Sequence, residues 1–426
     1  MSEQNVTQAT SPQRRTKDDK ESWKTYWEAQ GQVWRTEPET DTERQKFLNE
    51  RRRILPNIHQ GIYPFKDIEP KLTRADIEWL LATHHSGQGP IVWNYEDRPR
   101  GRGLDLRGAD LGSVDLQGLP LVSLIAGLNR SDFIEASSEE RRMAIVHLEG
   151  ANLSYAHLEG AELIMARLEG ADLFNAHLED ADMYKAHFER ASLKRAFLGG
   201  ASLRCAFLDV GTDFDDVKLE DERLGCVWLA DIHWGGANYS RAGWAEIKVL
   251  GDEIEARRQT RWDGKEKNDY EKINFYQWAV RANRQVTAAL QTQGLSEEAD
   301  HFAYRAQICQ RVLWRLQKRH LKYVFSWFLF LLAGYGYRPL RSIFWYVVII
   351  LGFAFAYYAF GHLSFIPPDA FVYSLTSFHG RGFFPGLEHK ISLHDPLVML
   401  AAFEAVVGLF IEISFIATFT QRFFGK

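Results

Sequence analysis

Large apolar residues recur at every fifth position through the middle of this chain. A small residue, in most cases alanine, stands two positions before each of them. Neither the period of a helix, about 3.6 residues, nor that of a strand, about two, produces a step of five. A coil with four flat sides of five residues does, with one large side chain pointing inward from each side. The large residues are Leu148, Leu153, Leu158, Leu163, Leu168, Leu173, Leu178, Met183, Phe188, Leu193, Leu198, Leu203 and Leu208. Each coil needs neighbours to cover its core, so the pattern predicts a solenoid.

The step extends on both sides of this region, and we predict one solenoid over residues 103–250. Upstream it is kept by Leu106, Leu111 and Leu116. Downstream, after one extra residue near Gly211, it is kept by Phe214, Leu219, Leu224, Leu229, Trp234, Tyr239 and Trp244. Blocks such as AELIM, ADLFN and ANLSY resemble the pentapeptide-repeat family. The resemblance implies a right-handed quadrilateral β-helix.

The segments on either side of the solenoid have helical patterns. Residues 1–20 are polar with almost nothing to bury, which predicts a disordered tail without a cleavable signal peptide. Residues 21–102 carry short helical patterns, one of them opened by Thr73, and predict a helical cap on the end of the solenoid. Residues 251–322 begin as a charged connector and continue as two helices separated by Gly294, which predicts a helical hairpin.

The last quarter of the chain is mostly apolar. Residues 343–360 contain no charged side chain. Residues 397–420 are similarly apolar apart from two glutamates, and each stretch is long enough to cross a bilayer. Residues 323–340 contain a shorter apolar run, which predicts an interfacial helix in the headgroup region. Residues 341–426 then form a two-span module.

The distribution of basic residues orients this module. The loop between the spans holds Arg381 and Lys390, whereas the other flanks are richer in basic residues. These flanking residues are Arg311, Arg315, Lys318, Arg319, Lys322, Arg338, Arg341, Arg422 and Lys426. The positive-inside rule therefore places the solenoid and both termini in the cytoplasm. A three-span alternative would place the carboxyl terminus outside.

The loop between the spans predicts a re-entrant segment. Asp369 can begin a short helix, which Gly380 and Gly382 end. Such a half-helix within the membrane is tolerated where protein or water surrounds it. The order of outer helix, pore helix, glycine turn and inner helix is that of a two-span channel subunit. One copy cannot enclose a pore, so the pattern predicts a symmetric homo-oligomer.

The segments AGYGYRPLR, YSLTSF and LAAFEAVVGLFIEISFIATFTQRF resemble bacterial pentapeptide-repeat proteins that carry a potassium-channel-like pore module. The resemblance implies a tetramer in the bacterial inner membrane, with the lipid bilayer, permeating ions and a cytoplasmic ligand or protein as partners. It places Gly380, Arg381 and Gly382 at the Gly-Tyr-Gly of the filter. It also places His379 at the preceding valine, and Ser377 and Phe378 at the paired threonines.

The filter positions depart from the potassium pattern. A potassium filter replaces the hydration shell of the ion with backbone carbonyls. Here the tyrosine position is Arg381, the following acidic position is Phe383, and one threonine position is Phe378. Four arginines at one mouth would repel cations. The sequence therefore favours a weakly selective or anion-tolerant pore, or one opened by a signal, over a potassium-selective one.

Three residues of the second span form one stripe at four-residue intervals: Glu404, Gly408 and Glu412. Gly408 is a candidate hinge, with close helix packing as the alternative. Glu412 is expected either to line the inner cavity or to be a protonated or paired structural residue. For Glu404, a bond to the pore helix is favoured over pore lining.

Charged side chains form ladders along the solenoid. Residues 103–250 contain 25 Asp and Glu against 14 Lys and Arg. Histidines and glutamates recur there at intervals of one coil, an arrangement that could take a metal or respond to pH near that of the imidazole pKa. A solvated solenoid face is the favoured interpretation. No catalytic residue, cofactor or metal site is predicted. The cysteines are Cys205, Cys226 and Cys309; their spacing is neither paired nor metal-like, and it is typical of a reduced compartment.

These patterns predict an oligomeric, channel-like membrane protein with a cytoplasmic sensing or docking domain, and not an enzyme. The alternatives are a membrane-tethered scaffold and a DNA mimic that binds topoisomerase, since the solenoid is acidic. No nucleic acid is expected as a partner.

Overall fold

The computed structural model describes most of the chain, including the repeat region and the apolar helices. The described residues are 20–84, 89–93, 103–261, 264–360, 366–380 and 396–424. They fall into two compact units, residues 1–257 and residues 258–426.

Parallel β-bridges at intervals of twenty residues stack the repeat region into a β-helix. His147 pairs with Arg167 and His157 with His177. The backbone N–H of Leu148 donates to the Arg167 carbonyl at 2.8 Å. All the large residues of the five-residue step between Leu148 and Leu208 are buried, with at most 4% of their surface exposed. The predicted solenoid is therefore confirmed, and its core is the column of side chains that each side contributes.

Residues at the corners of the coils adopt left-handed backbone conformations. Tyr155, Asn175 and Lys185, each two positions after a large core residue, have φ of 59°, 54° and 58°. Gly150 occupies the same kind of corner with a φ of 67°. Because this conformation costs a residue other than glycine about 1–2 kcal/mol, glycine is favoured at these corners.

Two insertions interrupt the coils. Helices α4 (Arg130–Glu135) and α5 (Ser138–Met143) occupy the stretch where the five-residue pattern loosens. Strands β1 (Glu220–Asp221) and β2 (Gly225–Cys226) form an antiparallel hairpin with Leu224 in its turn. The prediction that Leu224 belongs to the core column was therefore wrong.

The β1–β2 hairpin cannot be detected from residue spacing, because the number of residues that it inserts is a multiple of five. Paired residues are 21 apart at Phe197 and Lys218, and 26 apart at Ser202 and Trp228. The core column accordingly passes from Leu219 to Leu229, both buried.

The segment before the solenoid is helical, as predicted. It contains α1 (Lys20–Ala29), α2 (Thr42–Arg51) and α3 (Arg74–Ala82). The Thr73 side chain accepts from the backbone of α3 in a capping box. From the first turn of α3, Arg74 donates to the carbonyls of Asp115 and Gln117, at 3.2 and 3.0 Å, on the first coil. The segment thus covers the amino-terminal end of the solenoid.

The other end of the solenoid is covered by α6 (Gly251–Arg257). Asp252 is fully buried, accepts from Arg204 at 2.6 Å and accepts from the backbone N–H of Leu229 at 2.6 Å. The charged stretch that the sequence assigned to a connector thus begins with a helix packed on the solenoid, because Asp252 satisfies buried donors of the last coils.

The second unit is helical. It contains α7 (Asp269–Thr292), α8 (Ser296–Leu316), α9 (His320–Ala333), α10 (Pro339–Phe360), α11 (Pro367–Phe378) and α12 (Pro396–Phe424). Helices α7 and α8 form the predicted hairpin, and α9 ends in a turn over Gly334–Gly336. Two stretches, Leu340–Phe360 and Pro396–Ile416, are long and apolar enough to cross a membrane.

Candidate functional site

The short helix α11 packs against both of the long apolar helices, α10 and α12. Prolines at its first turn favour helix initiation, because their missing N–H groups would have no partner there. The helix ends at Phe378, and Gly380 follows with a φ of 67°. The sequence predicted a short helix in this position, and the described residues contain it.

Glu404 joins the three helices. Its carboxylate, on α12, accepts from Tyr357 on α10 at 2.6 Å and bonds to Ser374 on α11 at 2.5 Å. All three residues are fully buried. Ser374 Oγ also lies 2.9 Å from the carbonyl of Ile350. Since a buried carboxylate needs such partners, this network fixes α11 between its neighbours. The bond from Glu404 to the short helix is the contact that the sequence favoured.

Gly408 lies where α11 meets α12. A Cβ atom added at this position would be 2.2 Å from the carbonyl oxygen of Phe378. Real Cβ atoms do not approach a backbone oxygen so closely, so the glycine permits the contact between the two helices. Phe378 itself is buried and packs edge-on against Tyr346 with ring centroids 4.9 Å apart.

His379 bridges the two long helices. Its Nδ1 bonds to Glu412 on α12, and its Nε2 lies 3.0 Å from the hydroxyl of Tyr346 on α10. Both members of the His379–Glu412 pair are about one-third exposed. Of the two expectations for Glu412, the described residues contain the paired arrangement. Ser377 is buried one position before Phe378.

The predicted filter positions Arg381, Gly382 and Phe383 lie outside the described residues. The described part of the site therefore consists of residues 377–380 and the inner-helix positions 404, 408 and 412.

Sequence reasoning missed the partners on α10. Tyr346 and Tyr357 are eleven residues apart, which is three helical turns, so they lie on one stripe of the helix. Ser374 was noticed as part of the short helix and not as a partner of Glu404. A search for polar residues at helical spacing within the apolar stretch would have found both tyrosines.

The helical hairpin of α7 and α8 contacts the turn that leads into α10. Tyr304 on α8 packs against Tyr335 with ring centroids 6.3 Å apart. The Arg311 guanidinium of α8 lies over the ring of Phe330 on α9, 4.3 Å from its centroid. Ser326 and Tyr335 are joined by a hydrogen bond of 2.7 Å. These contacts link α8, α9 and the turn at Gly334–Gly336.

A second set of functional groups lies on the solenoid, and we call it the His–Glu ladder. Each of its histidines lies within hydrogen-bond distance of the glutamate two residues later, at 2.8–3.2 Å. The pairs are His147–Glu149, His157–Glu159, His177–Glu179 and His187–Glu189. Arg167 takes the place of a histidine and pairs with Glu169 at 3.2 Å.

The carboxylates of one face of the ladder are buried. Glu159 is 5% exposed and Glu179 is 8% exposed. The expectation of a solvated face was therefore wrong for these two side chains, because the neighbouring coils and the imidazoles cover them. The histidines remain accessible, with 47% of the His157 side chain and 30% of the His177 side chain exposed.

The hydrogen bond to Glu159 raises the pKa of His157 above its ordinary value, and the nearby Glu179 acts in the same direction. The raised pKa means that the pair stabilises the solenoid fully below pH about 6.5 and loses this contribution as the pH rises through the folded pKa. We expect the effect on the free energy of unfolding to stay below about 1 kcal/mol, because the ring is half-exposed.

The measurement is the difference in unfolding midpoint between the native chain and Glu159→Gln at several pH values, with a chelator present. A difference that grows with rising pH would contradict this assignment. The ring of His177 is stacked on that of His157. The same measurement in a His177→Phe background separates the contribution of His157 from that of His177.

The comparisons with known proteins match the repeat region. The family model of pentapeptide repeats matches residues 146–180 and 181–221, with 8 copies. No curated protein matches the sequence.

Solved structures of repeat proteins resemble parts of the chain. HetL, a pentapeptide repeat protein involved in heterocyst differentiation regulation from the cyanobacterium Nostoc sp. strain PCC 7120, is 30% identical over 32% of this chain, with a TM-score of 0.17. This chain covers 52% of HetL, about half its length.

Two further structures are more distant. QnrB1, a plasmid-mediated fluoroquinolone resistance protein, is 13% identical, with 31% of this chain and 64% of that one covered and a TM-score of 0.17. A pentapeptide repeat protein from the thylakoid lumen of Arabidopsis thaliana is 17% identical, with 44% and 95% covered and a TM-score of 0.14. The family match and the stacked coils together show that the chain contains pentapeptide repeats folded as a β-helix.

Proposed function

We propose that this chain is the subunit of a homo-oligomeric, channel-like protein of the bacterial inner membrane, with both termini and the solenoid in the cytoplasm. A tetramer is the favoured assembly. The observation that carries the proposal is the short helix α11, which Glu404 ties between two apolar helices and which ends against Gly408.

The apolar surface of α10 and α12 supports a membrane location. Only 17% and 22% of the residues in the most apolar windows of the two helices are buried within the single chain. Large side chains such as Phe355, Phe403 and Phe410 are more than half exposed. An apolar surface of this kind needs lipid or further copies of the chain to cover it. An oligomer around an axis in a bilayer supplies both.

The charges around the end of α11 bear on which ions could pass. The carboxyl end of a helix carries a partial negative charge. Glu412 lies beside this end, bonded to His379. The negative end of α11 and Glu412 favour cations on the inner side of the proposed pore. The positive charge of Arg381 repels cations at the filter position. The proposed pore is therefore weakly selective or anion-tolerant, and not potassium-selective.

The contacts of α8 with α9 support coupling between the cytoplasmic hairpin and the pore. Tyr304 contacts Tyr335 in the turn that precedes α10, and Arg311 contacts Phe330 on α9. A rotation of α8 would therefore move this turn and the cytoplasmic end of α10, which follows it. The solenoid would act as the part that senses or docks a ligand or protein.

Ion flux from liposomes that contain the purified full chain tests the proposal. We expect flux of small ions that exceeds that of protein-free liposomes and shows no strong preference for K⁺ over Na⁺. Mass measurement of the detergent-solubilised particle should give a closed oligomer. A monomeric particle, or liposomes that stay as tight as the protein-free control, would refute the channel and leave a membrane-tethered scaffold.

Replacing Arg381 with tyrosine should shift the permeability ratio towards cations, because it removes one positive charge per subunit from the filter position. Reversal potentials in asymmetric KCl give the ratio. Lys390→Tyr removes a charge from the same loop and serves as the control, with a smaller expected shift. Equal shifts for both variants would remove Arg381 from the conduction path.

A further inference from the structure

The stacked rungs at residues 157–159 and 177–179 bring together donor atoms that suit a metal ion. Three residues each contribute one donor atom here: His157, Glu159 and His177. These three atoms lie within 4.8 Å of one another. The two imidazole rings are stacked, with centroids 4.7 Å apart and planes 6° apart. His157 Nδ1 lies 2.8 Å from Glu159 Oε1, and His177 Nδ1 lies 3.2 Å from Glu179 Oε1.

The carboxylates of these rungs lack a fixed cation. The Oε2 atoms of Glu159 and Glu179 are buried and have no hydrogen-bond partner among the described residues. No Lys or Arg of the described chain forms an ion pair with either glutamate. Two buried carboxylates one coil apart therefore have only the imidazoles to offset their charge. Burying a carboxylate in this way is costly unless a cation balances it.

The opposite face of the ladder provides an internal comparison. There Arg167 lies 3.0 Å from Glu149 and 3.2 Å from Glu169, so a guanidinium neutralises these carboxylates. The face that carries Glu159 and Glu179 has the same carboxylate positions without an arginine. The face with Arg167 also brings donor atoms of Glu169, His187 and Glu189 within 4.8 Å of one another. On that face, however, Arg167 pairs with Glu169, and the Glu189 side chain is 32% exposed. The need for a cation is therefore greatest on the other face, where both carboxylates are buried and no arginine of the described residues pairs with them.

The neighbouring coils limit this site to two rungs. On one side, Pro120 pairs with His157 in the β-helix and offers no donor side chain. On the other side, Phe197 stacks on His177 with ring centroids 4.6 Å apart, and Gly199 replaces the glutamate. The arrangement can thus hold one ion and not a row of them.

We propose that His157, Glu159 and His177 bind one transition metal ion of the zinc class on the face of the solenoid. Imidazole with carboxylate is a ligand set for Zn²⁺, Ni²⁺ or Cu²⁺, whereas Ca²⁺ and Mg²⁺ prefer oxygen alone. The ion takes the place of the proton between His157 and Glu159. His177 turns its exposed ring to reach the same ion, and water completes a four-coordinate shell. The positive charge balances the buried carboxylates.

The test measures zinc bound to the purified full chain after chelator treatment. Equilibrium dialysis against ZnCl₂, with metal analysis, should give a tight site with one zinc per chain. His177→Phe copies the adjacent Phe197 rung, so it keeps the aromatic stack while removing a ligand. We expect it to weaken zinc binding by more than about 100-fold, because losing a partner outside the ligand shell already costs about 10–100-fold and His177 is a ligand. His187→Phe copies Phe207, on which His187 stacks, and should leave the tight site intact.

A second readout follows the folded state directly. Zinc should raise the thermal unfolding midpoint of the native chain and of His187→Phe, and not that of His177→Phe, because a ligand that binds the folded state stabilises it. Zinc binding should also weaken as the pH falls and protons compete for the imidazoles. A native chain without a tight zinc site, or a tight site that survives His177→Phe, would overturn the proposal. Neither result depends on ion conduction.

Discussion

Replacing Gly408 with alanine is expected to destabilise the bundle of α10, α11 and α12 and to reduce ion flux. The added Cβ would lie 2.2 Å from the carbonyl oxygen of Phe378 and 3.1 Å from Cγ of its ring. Both atoms belong to the buried end of α11, so relief requires α11 to move away from α12. Overpacking of this kind costs about 1–3 kcal/mol. The cost opposes the helix propensity of alanine, which alone would stabilise α12 by about 1 kcal/mol.

The sign of the effect separates two roles for this glycine. A hinge that depends on backbone freedom would gain helix stability from alanine, whereas a close contact would lose packing. Gly352 on α10 is the matched control, because a Cβ added there meets no atom within 4 Å. We expect Gly352→Ala to leave the thermal unfolding midpoint in detergent unchanged or higher. If Gly408→Ala had the same stability and oligomer size as Gly352→Ala, close packing against α11 would not be the reason for a glycine at position 408.

Replacing Asp252 with alanine is expected to lower the stability of the solenoid by about 3–5 kcal/mol, since it leaves a buried guanidinium without its carboxylate. Arg204 and Asp252 are 2.6 Å apart, and their side chains are 3% and 0% exposed. Burial lowers the pKa of Arg204, and Asp252 opposes that shift. The carboxylate also accepts from the backbone N–H groups of Leu229 and Ala230.

Hydrogen exchange measured by mass spectrometry can localise this effect. In Asp252→Ala, the peptides that contain Leu229 and Ala230 should exchange faster, because their amides lose an acceptor and α6 loses its anchor. Arg241→Ala is the control, since Arg241 forms an ion pair with Asp215 at 3.1 Å but is 62% exposed. Its effect should stay below about 1 kcal/mol. Similar exchange in the two variants would show that α6 does not stabilise the last coils.

The core of the solenoid could be predicted because the signal is local and repeated. Each side of five residues carries the same requirement, one large inward side chain with a small one beside it, so chance departures average out. The capping of α3 by Thr73 was predictable for the same reason, since it depends on neighbours within one turn. The short helix after Asp369 also follows from adjacent residues.

The contacts that complete each site could not be predicted from the same patterns. Glu404 meets Tyr357, 47 residues earlier, through the packing of two helices. Glu412 meets His379, 33 residues earlier, in the same way. Leu224 was misplaced because an inserted hairpin imitated the repeat in length. The burial of Asp252 depends on donors in coils that precede it by more than twenty residues.

The hairpin of β1 and β2 shows how a solenoid of this kind can change its outline. The five added residues form a loop that begins and ends at the same corner of the coil. Every later side chain therefore keeps its inward or outward orientation relative to the core. The single extra residue before Phe214 is absorbed in a similar way, as Asp209 accepts from the backbone of Gly211 and Thr212 bonds to the Phe188 carbonyl. Residues can thus be inserted at the outer surface of the solenoid without changing the packing of its core. New recognition loops can be grafted at corners, in natural variation or in the laboratory, without redesigning the column of leucines within.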